Sequence, residues 1–231
     1  MKKTLPCIVL LAILSVIPSF RLQAQSNLVG NLKAGRGQTL VVYGTSIAAM
    51  GFGRLWVSEV ANDLQRRFGN KITVYNCAKA GQNSNWALKN LQDSVLSKNP
   101  NTVIIEFATN DAVDKFAITP EQCRLNTGKL IALIREKLPE CEIILHTPCS
   151  FPIGEAAEKR PHLDQYRNVY KDIAREKHLI LIDETEMWRG IIEKEGETVF
   201  RKYSGDGVHP TKKGALEVIY PAVMKALLTG K

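Results

Sequence analysis

From Leu40 towards the C-terminus, short runs rich in β-branched and aromatic residues alternate with longer stretches whose apolar residues recur three or four positions apart. Residues 40–43, 72–77, 102–107, 142–146 and 179–182 read as strands. Between them, 52–68 sets Trp56, Val60, Leu64 and Phe68 on one helical face and stops at Gly69-Asn70, and 85–97 sets Leu88, Leu91 and Val95 in a second stripe. Thr119-Pro120-Glu121-Gln122 is a capped helix start, and the helix carries Leu130, Ile131, Leu133 and Ile134 before Pro139 ends it. Further helices are expected over about 163–177 and 213–228, with a less regular segment running through Glu197. This alternation predicts a parallel sheet with helices on both faces. Right-handed crossovers then bring the loops after Tyr43, Cys77, Phe107 and Leu145 to one edge, where open α/β sheets place ligands and chemistry.

The N-terminus reads differently. Lys2 and Lys3 precede an almost wholly apolar run, 5–20, and a short polar tail ends at Gln25, the pattern of a secretory signal peptide over residues 1–25. The run is too short to span a bilayer and is interrupted by Pro6 and Pro18, so no stable membrane insertion is expected after processing. Residues 26–231 then suffice for one α/β domain, exported to the periplasm or the cell exterior. Removing Lys2, Lys3 and Arg21 takes the formal charge from +8 to +5, with no Lys/Arg block and no interleaved aromatics, which argues against nucleic-acid binding. Cys77, Cys123, Cys141 and Cys149 remain; three pairings are open, and free buried thiols or one bridge are the default. Neither these cysteines nor the four histidines show the close spacing of a metal site.

At the expected edge, Gly44-Thr45-Ser46-Ile47 follows the first strand, with Gly44 allowing a sharp turn and Ser46 offering a hydroxyl nucleophile. Asp206 precedes His209 by three residues in Ser204-Gly205-Asp206-Gly207-Val208-His209-Pro210, a spacing that lets a carboxylate orient an imidazole acting as base. Asn110 offers a side-chain NH2 after the third strand, Gly81 a backbone N–H without a Cβ, and Ser46 its own N–H, which together are donors for an oxyanion. The Pro/Gly-containing excursion 147–161 leaves a strand at the same edge and reads as substrate-facing. His146 is expected as a pocket wall or a satisfied surface residue, Trp56, Trp86 and Trp188 as packing residues, and Asp111 and Asp114 as solvated loop acids.

Gly44-Thr45-Ser46-Ile47, Gly81, Ala108-Thr109-Asn110-Asp111 and Asp206-Gly207-Val208-His209-Pro210, in that order and over nearly the whole of 26–231, resemble the SGNH superfamily, the GDSL-type lipases and esterases. The resemblance implies a flavodoxin-like three-layer α/β/α fold, Ser46 as nucleophile with Asp206 and His209, and Ser46, Gly81 and Asn110 in the oxyanion hole. It also implies hydrolysis of an ester or thioester without metal or organic cofactor. Two positions depart from the family pattern. Thr45 stands where an acid is usual, removing a charged acceptor from the turn, and Ala108 stands where a glycine is usual, which strains the backbone if φ there is positive. The expected substrates are short O-acyl groups, above all acetyl, on a small-molecule or glycan ester; a lysophospholipase or acyl-thioesterase is the alternative. A catalytically silent glycan-binding domain would keep the fold without acylating Ser46, and a flavin binder would need a longer phosphate loop than 44–47.

Overall fold

The computed structural model describes residues 25–69, 71–148 and 151–230. Residues 1–24 of the expected signal peptide, Asn70 at the expected helix stop, and Cys149 lie outside them.

Five strands, β1 (Gln38–Gly44), β2 (Ile72–Asn76), β3 (Thr102–Glu106), β4 (Glu142–Thr147) and β5 (Ile180–Asp183), form one parallel sheet in the order β2-β1-β3-β4-β5. Successive residues of a strand point to opposite faces. Leu40, Val42, Ile104, Ile144 and Ile182 therefore enter one core, while Val41, Tyr43, Val103, Ile105, Ile143 and Leu145 enter another. Helices Asn27–Lys33, Gly53–Phe68 and Tyr220–Thr229 cover the first face through Leu28, Trp56, Val60, Leu64, Val223 and Leu227. Helices Ser84–Ser94, Pro120–Lys137 and Leu163–Glu176 cover the second through Leu91, Leu130, Ile134, Tyr170 and Ile173. The result is a three-layer α/β/α sandwich whose strand order is the flavodoxin-like one.

Thr119 caps its helix as expected, accepting from Gln122 N–H at 3.1 Å. Two segments differ from expectation. The stretch leading to Glu197 contains a regular helix, Thr185–Glu195, anchored by the fully buried Trp188. Of this helix only Thr185 and Trp188 are buried, so its sequence carries too thin a stripe to announce a helical period. The C-terminal helix is interrupted at Ala215–Ile219 by a π turn just before Pro221, whose missing N–H cannot serve a regular ladder. Cys77, Cys123 and Cys141 are free thiols.

Candidate active site

Because every strand runs the same way, β1, β2, β3 and β4 deliver their carboxyl ends to one edge, and order reversal around β1 and β3 opens a crevice there. Ser46 starts a single helical turn, Ser46–Ala49, directly after β1; as its first residue, its N–H has no acceptor within that turn. Ser46 Oγ lies 2.8 Å from His209 Nε2, and His209 Nδ1 lies 2.7 Å from Asp206 Oδ2. Asp206 Oδ1 accepts from the N–H groups of Val208 (2.9 Å) and His209 (2.7 Å), so one carboxylate both folds the turn and aims the ring. Burial alone would raise the Asp206 carboxyl, but the hydrogen bonds from His209 and Val208 outweigh it and hold the group well below the usual carboxylate range. Asp206 thus remains an anion opposite the imidazole.

Gly81 and Asn110 join Ser46, Asp206 and His209 on the wall of a cavity of about 460 Å³. Gly81 has φ +73°, and a Cβ there would meet nothing within 4 Å, so the position needs glycine for conformation rather than for space. Asn110 is buried, and its Nδ2 donates to Gln82 O at 2.8 Å; a primary amide keeps a second N–H for another acceptor. The excursion after β4 supplies Ile153, Glu155, Ala156, Lys159 and Arg160 to the same wall, as expected of a substrate-facing loop. It is stitched to the Asp206 turn by Phe151 N–H to Gly207 O and Ile153 N–H to Asp206 O, both 3.0 Å.

The two departures from the family pattern resolve differently. Ala108 begins the helical turn Ala108–Asp111 and is not among the positive-φ residues, so its methyl adds no backbone strain. At Thr45 the expected absence of an acidic side chain at the turn is corrected by Glu106, which supplies a carboxyl from the neighbouring strand. Register pairs Gly44 with Glu106, and from that position the buried Glu106 side chain reaches beneath the turn. Thr45 N–H donates to Glu106 Oε2 at 2.9 Å, and Thr45 Oγ lies 2.9 Å from both carboxyl oxygens. Gly44, expected to supply a sharp turn, has no positive φ; a Cβ there would stand 2.6 Å from Glu106 Oε2, so glycine makes room for the acid. Burial, strengthened by the neighbouring Glu184 and Asp111 side chains, pushes the Glu106 carboxyl up to about 8 against the Thr45 hydrogen bonds. Its position inside an otherwise apolar strand, the only charged residue of 102–107, was the available sequence signal.

Two further expectations are corrected. His146 is neither pocket wall nor surface residue: it is wholly buried, with Nε2 2.7 Å from Glu184 Oε1 and its ring edge-to-face with Trp56. Trp188 Nε1 donates to the other Glu184 oxygen at 2.8 Å, and Trp56 Nε1 donates to Ile47 O at 3.0 Å, so this polar network braces the turn that carries Ser46. Asp111 is buried rather than solvated, because its Oδ1 accepts the Ser84 N–H at 2.8 Å, whereas Asp114 is exposed.

The profile of the GDSL-like lipase/acylhydrolase family matches residues 42–216. Solved structures with the same fold include an acetylxylan esterase from Geobacillus stearothermophilus (22% identity, TM-score 0.68, covering 83% of this chain and 94% of that one). A lipase/acylhydrolase from Enterococcus faecalis is 23% identical, with TM-score 0.68 over 82% of this chain and 95% of its own. No curated protein matches the chain. The match from the end of the first strand to the start of the last helix, on an SGNH hydrolase sheet, makes this chain a member of the GDSL-like lipase/acylhydrolase family.

Proposed function

We propose that the chain is an exported, metal-independent serine esterase that removes acetyl or other short acyl groups from hydroxyls of carbohydrates. The observation that carries this reading is the relay from Ser46 Oγ through His209 to Asp206, with contacts of 2.8 and 2.7 Å. Ser46 Oγ attacks the ester carbonyl carbon as its proton passes to His209 Nε2. The negative charge gathers on the carbonyl oxygen, received by the N–H groups of Ser46 and Gly81 and by Asn110 Nδ2. Collapse breaks the bond to the alcohol, which leaves with the proton from Nε2. A water molecule then attacks acyl-Ser46, giving its proton to His209, and the carboxylic acid departs as Ser46 recovers its hydrogen. Asp206 keeps Nδ1–H directed and balances the imidazolium.

Support for a short acyl group comes from the modest cavity and from the likeness to an acetylxylan esterase. A lysophospholipase or thioesterase reading draws on Met50, 53% exposed, and Phe116, which form an apolar flank. Acetylated oligosaccharides, lysophospholipids and acyl thioesters offered to wild type and to Ser46→Ala decide between these readings. Wild type should favour the acetylated sugar, and Ser46→Ala should lose about 10⁴-fold or more in kcat. Undiminished turnover in the variant rejects Ser46 as nucleophile, and preference for long acyl chains rejects the acetylesterase.

A further inference from the structure

The charges on the cavity wall do not balance. Glu155 is paired with Lys159, and Asp206 is committed to His209. Against the anions Glu155 and Asp206 stand three cations, leaving one positive charge in excess, and no carboxylate of the described residues lies within 4 Å of Lys115 or Arg160, Asp206 acting on Arg160 only from beyond that distance. Arg160 is held in place: Nε donates to Thr109 O at 3.0 Å and Nη1 to Ala156 O at 3.2 Å. Those bonds use two of five guanidinium N–H donors and seat the group beside Asn110, the residue after Thr109. Lys115 approaches from the segment after β3, its Nζ 5.0 Å from the Phe116 ring centroid. A half-buried, tethered guanidinium with unused donors, sharing the wall of a small cavity with a second cation, is preorganised for a planar anion.

We infer that Arg160 and Lys115 form an anion subsite that selects an O-acylated sugar acid, with Arg160 gripping a carboxylate on the alcohol part of the ester. This rests on the esterase reading, in which a short acyl group leaves most of the cavity to the alcohol part. The carboxylate accepts the free Nη donors of Arg160, and Lys115 adds a nearby point charge. Apolar Val113, Ile153 and Ala156 meet the sugar's carbon face. The interaction is made before the chemical step and belongs to substrate binding, so it should appear in KM more than in kcat and weaken with salt.

The test compares methyl glycosides of glucose and of glucuronic acid, acetylated at the same hydroxyl, with the glucose 6-phosphate counterpart as a third arm. Its readout is the ratio of kcat/KM between acid and neutral substrates. Wild type should favour the acid by about 10- to 100-fold at low salt. Lys115→Glu and Arg160→Gln should each collapse that ratio, and Arg160→Lys should keep part of it. A wild-type ratio near one, a ratio unmoved by either charge-removing variant, or preference for the phosphate over the carboxylate overturns the assignment while leaving the esterase standing. If neither sugar is hydrolysed, the carbohydrate-acetylesterase reading fails separately, and titration of glucose and glucuronic acid glycosides onto Ser46→Ala still reads the subsite. About tenfold tighter binding of the acid supports it, and equal binding overturns it.

Discussion

Glu106 ties the chemistry of one side chain to the placement of another. Its carboxyl receives the Thr45 N–H and touches the Thr45 hydroxyl, one residue before Ser46, so its loss should be felt as misplacement of Ser46, the proposed nucleophile. Glu106→Ala removes this acceptor and leaves a gap against Gly44; kcat should fall by about 10²-fold with KM little changed, since a shift of about 1 Å at a nucleophile has that effect. Glu106→Gln keeps an acceptor for the N–H and places an amide donor near Thr45 Oγ, so it should retain most activity. It should also change the response of stability to pH. A carboxyl raised in the fold from 4.5 to about 8 binds a proton in the native state that the unfolded chain has released. Its contribution is complete below about 4.5 and is lost as pH rises towards 8, with a slope of about 1.4 kcal/mol per pH unit for one group. Urea midpoints measured between these values should fall less steeply with pH for Glu106→Gln than for wild type. At this scale the residues that meet on the cavity wall were legible, because Ser46, Gly81, Asn110, Asp206 and His209 sit in short segments of distinctive composition. Glu106 was missed because it sits in a segment read only as a buried strand, and Arg160 because the excursion 147–161, read as substrate-facing, gave no sign of which of its side chains reaches the cavity.

Between residues and molecule stands the pairing of the excursion after β4 with the Asp206–His209 turn. Gly207 sits where these two backbones meet, at φ +75°, and a Cβ there would fall 1.8 Å from Phe151 O. No rotamer relieves such a clash, so Gly207→Ala must pull the turn and the loop apart. The expected result is a loss of about 1–3 kcal/mol in unfolding free energy, together with a drop in kcat as His209 leaves Ser46. Gly205→Ala, two residues earlier with open space at its Cβ, serves as the control and should leave both near wild type. Equal behaviour of the two variants in urea unfolding and steady-state kinetics would contradict this account. The strands were readable because a sheet covered on both faces demands continuous apolar runs, as in Val103-Ile104-Ile105. The helix Thr185–Glu195 was hidden because only Thr185 and Trp188 of it are buried, Ile191 and Ile192 packing on the core in part, and the π turn at Ala215–Ile219 leaves no periodic mark that a regular helix would lack. Contact between 151–153 and 206–207 joins segments distant in the chain, and no local pattern encodes it.

The molecule as a whole is closed by its first helix. Ser26 caps Asn27–Lys33 by accepting from Val29 N–H, and its hydroxyl donates to Leu227 O at 2.7 Å in the last helix. Glu142, at the start of β4, accepts the otherwise unpartnered N–H groups of Asn27 at 2.8 Å and Leu28 at 3.3 Å. Leu28, Val29 and Leu32 are 0, 0 and 3% exposed and complete the core on the face that also carries Trp56 and the C-terminal helix. Processing at the proposed boundary near residue 25 leaves this closure whole. A chain starting at Gln25 should therefore unfold cooperatively with a stability ordinary for its size. One starting at Ala34 forfeits three buried side chains worth about 1.5–3 kcal/mol each, of the order of the whole folding free energy of a domain. It should be largely unfolded or insoluble. Leu28→Ala within the longer chain, expected to lose about 2–5 kcal/mol, gives a graded version in urea. Should the chain from Ala34 unfold at the same urea concentration as the chain from Gln25, the first helix would be an ornament on a core that closes without it.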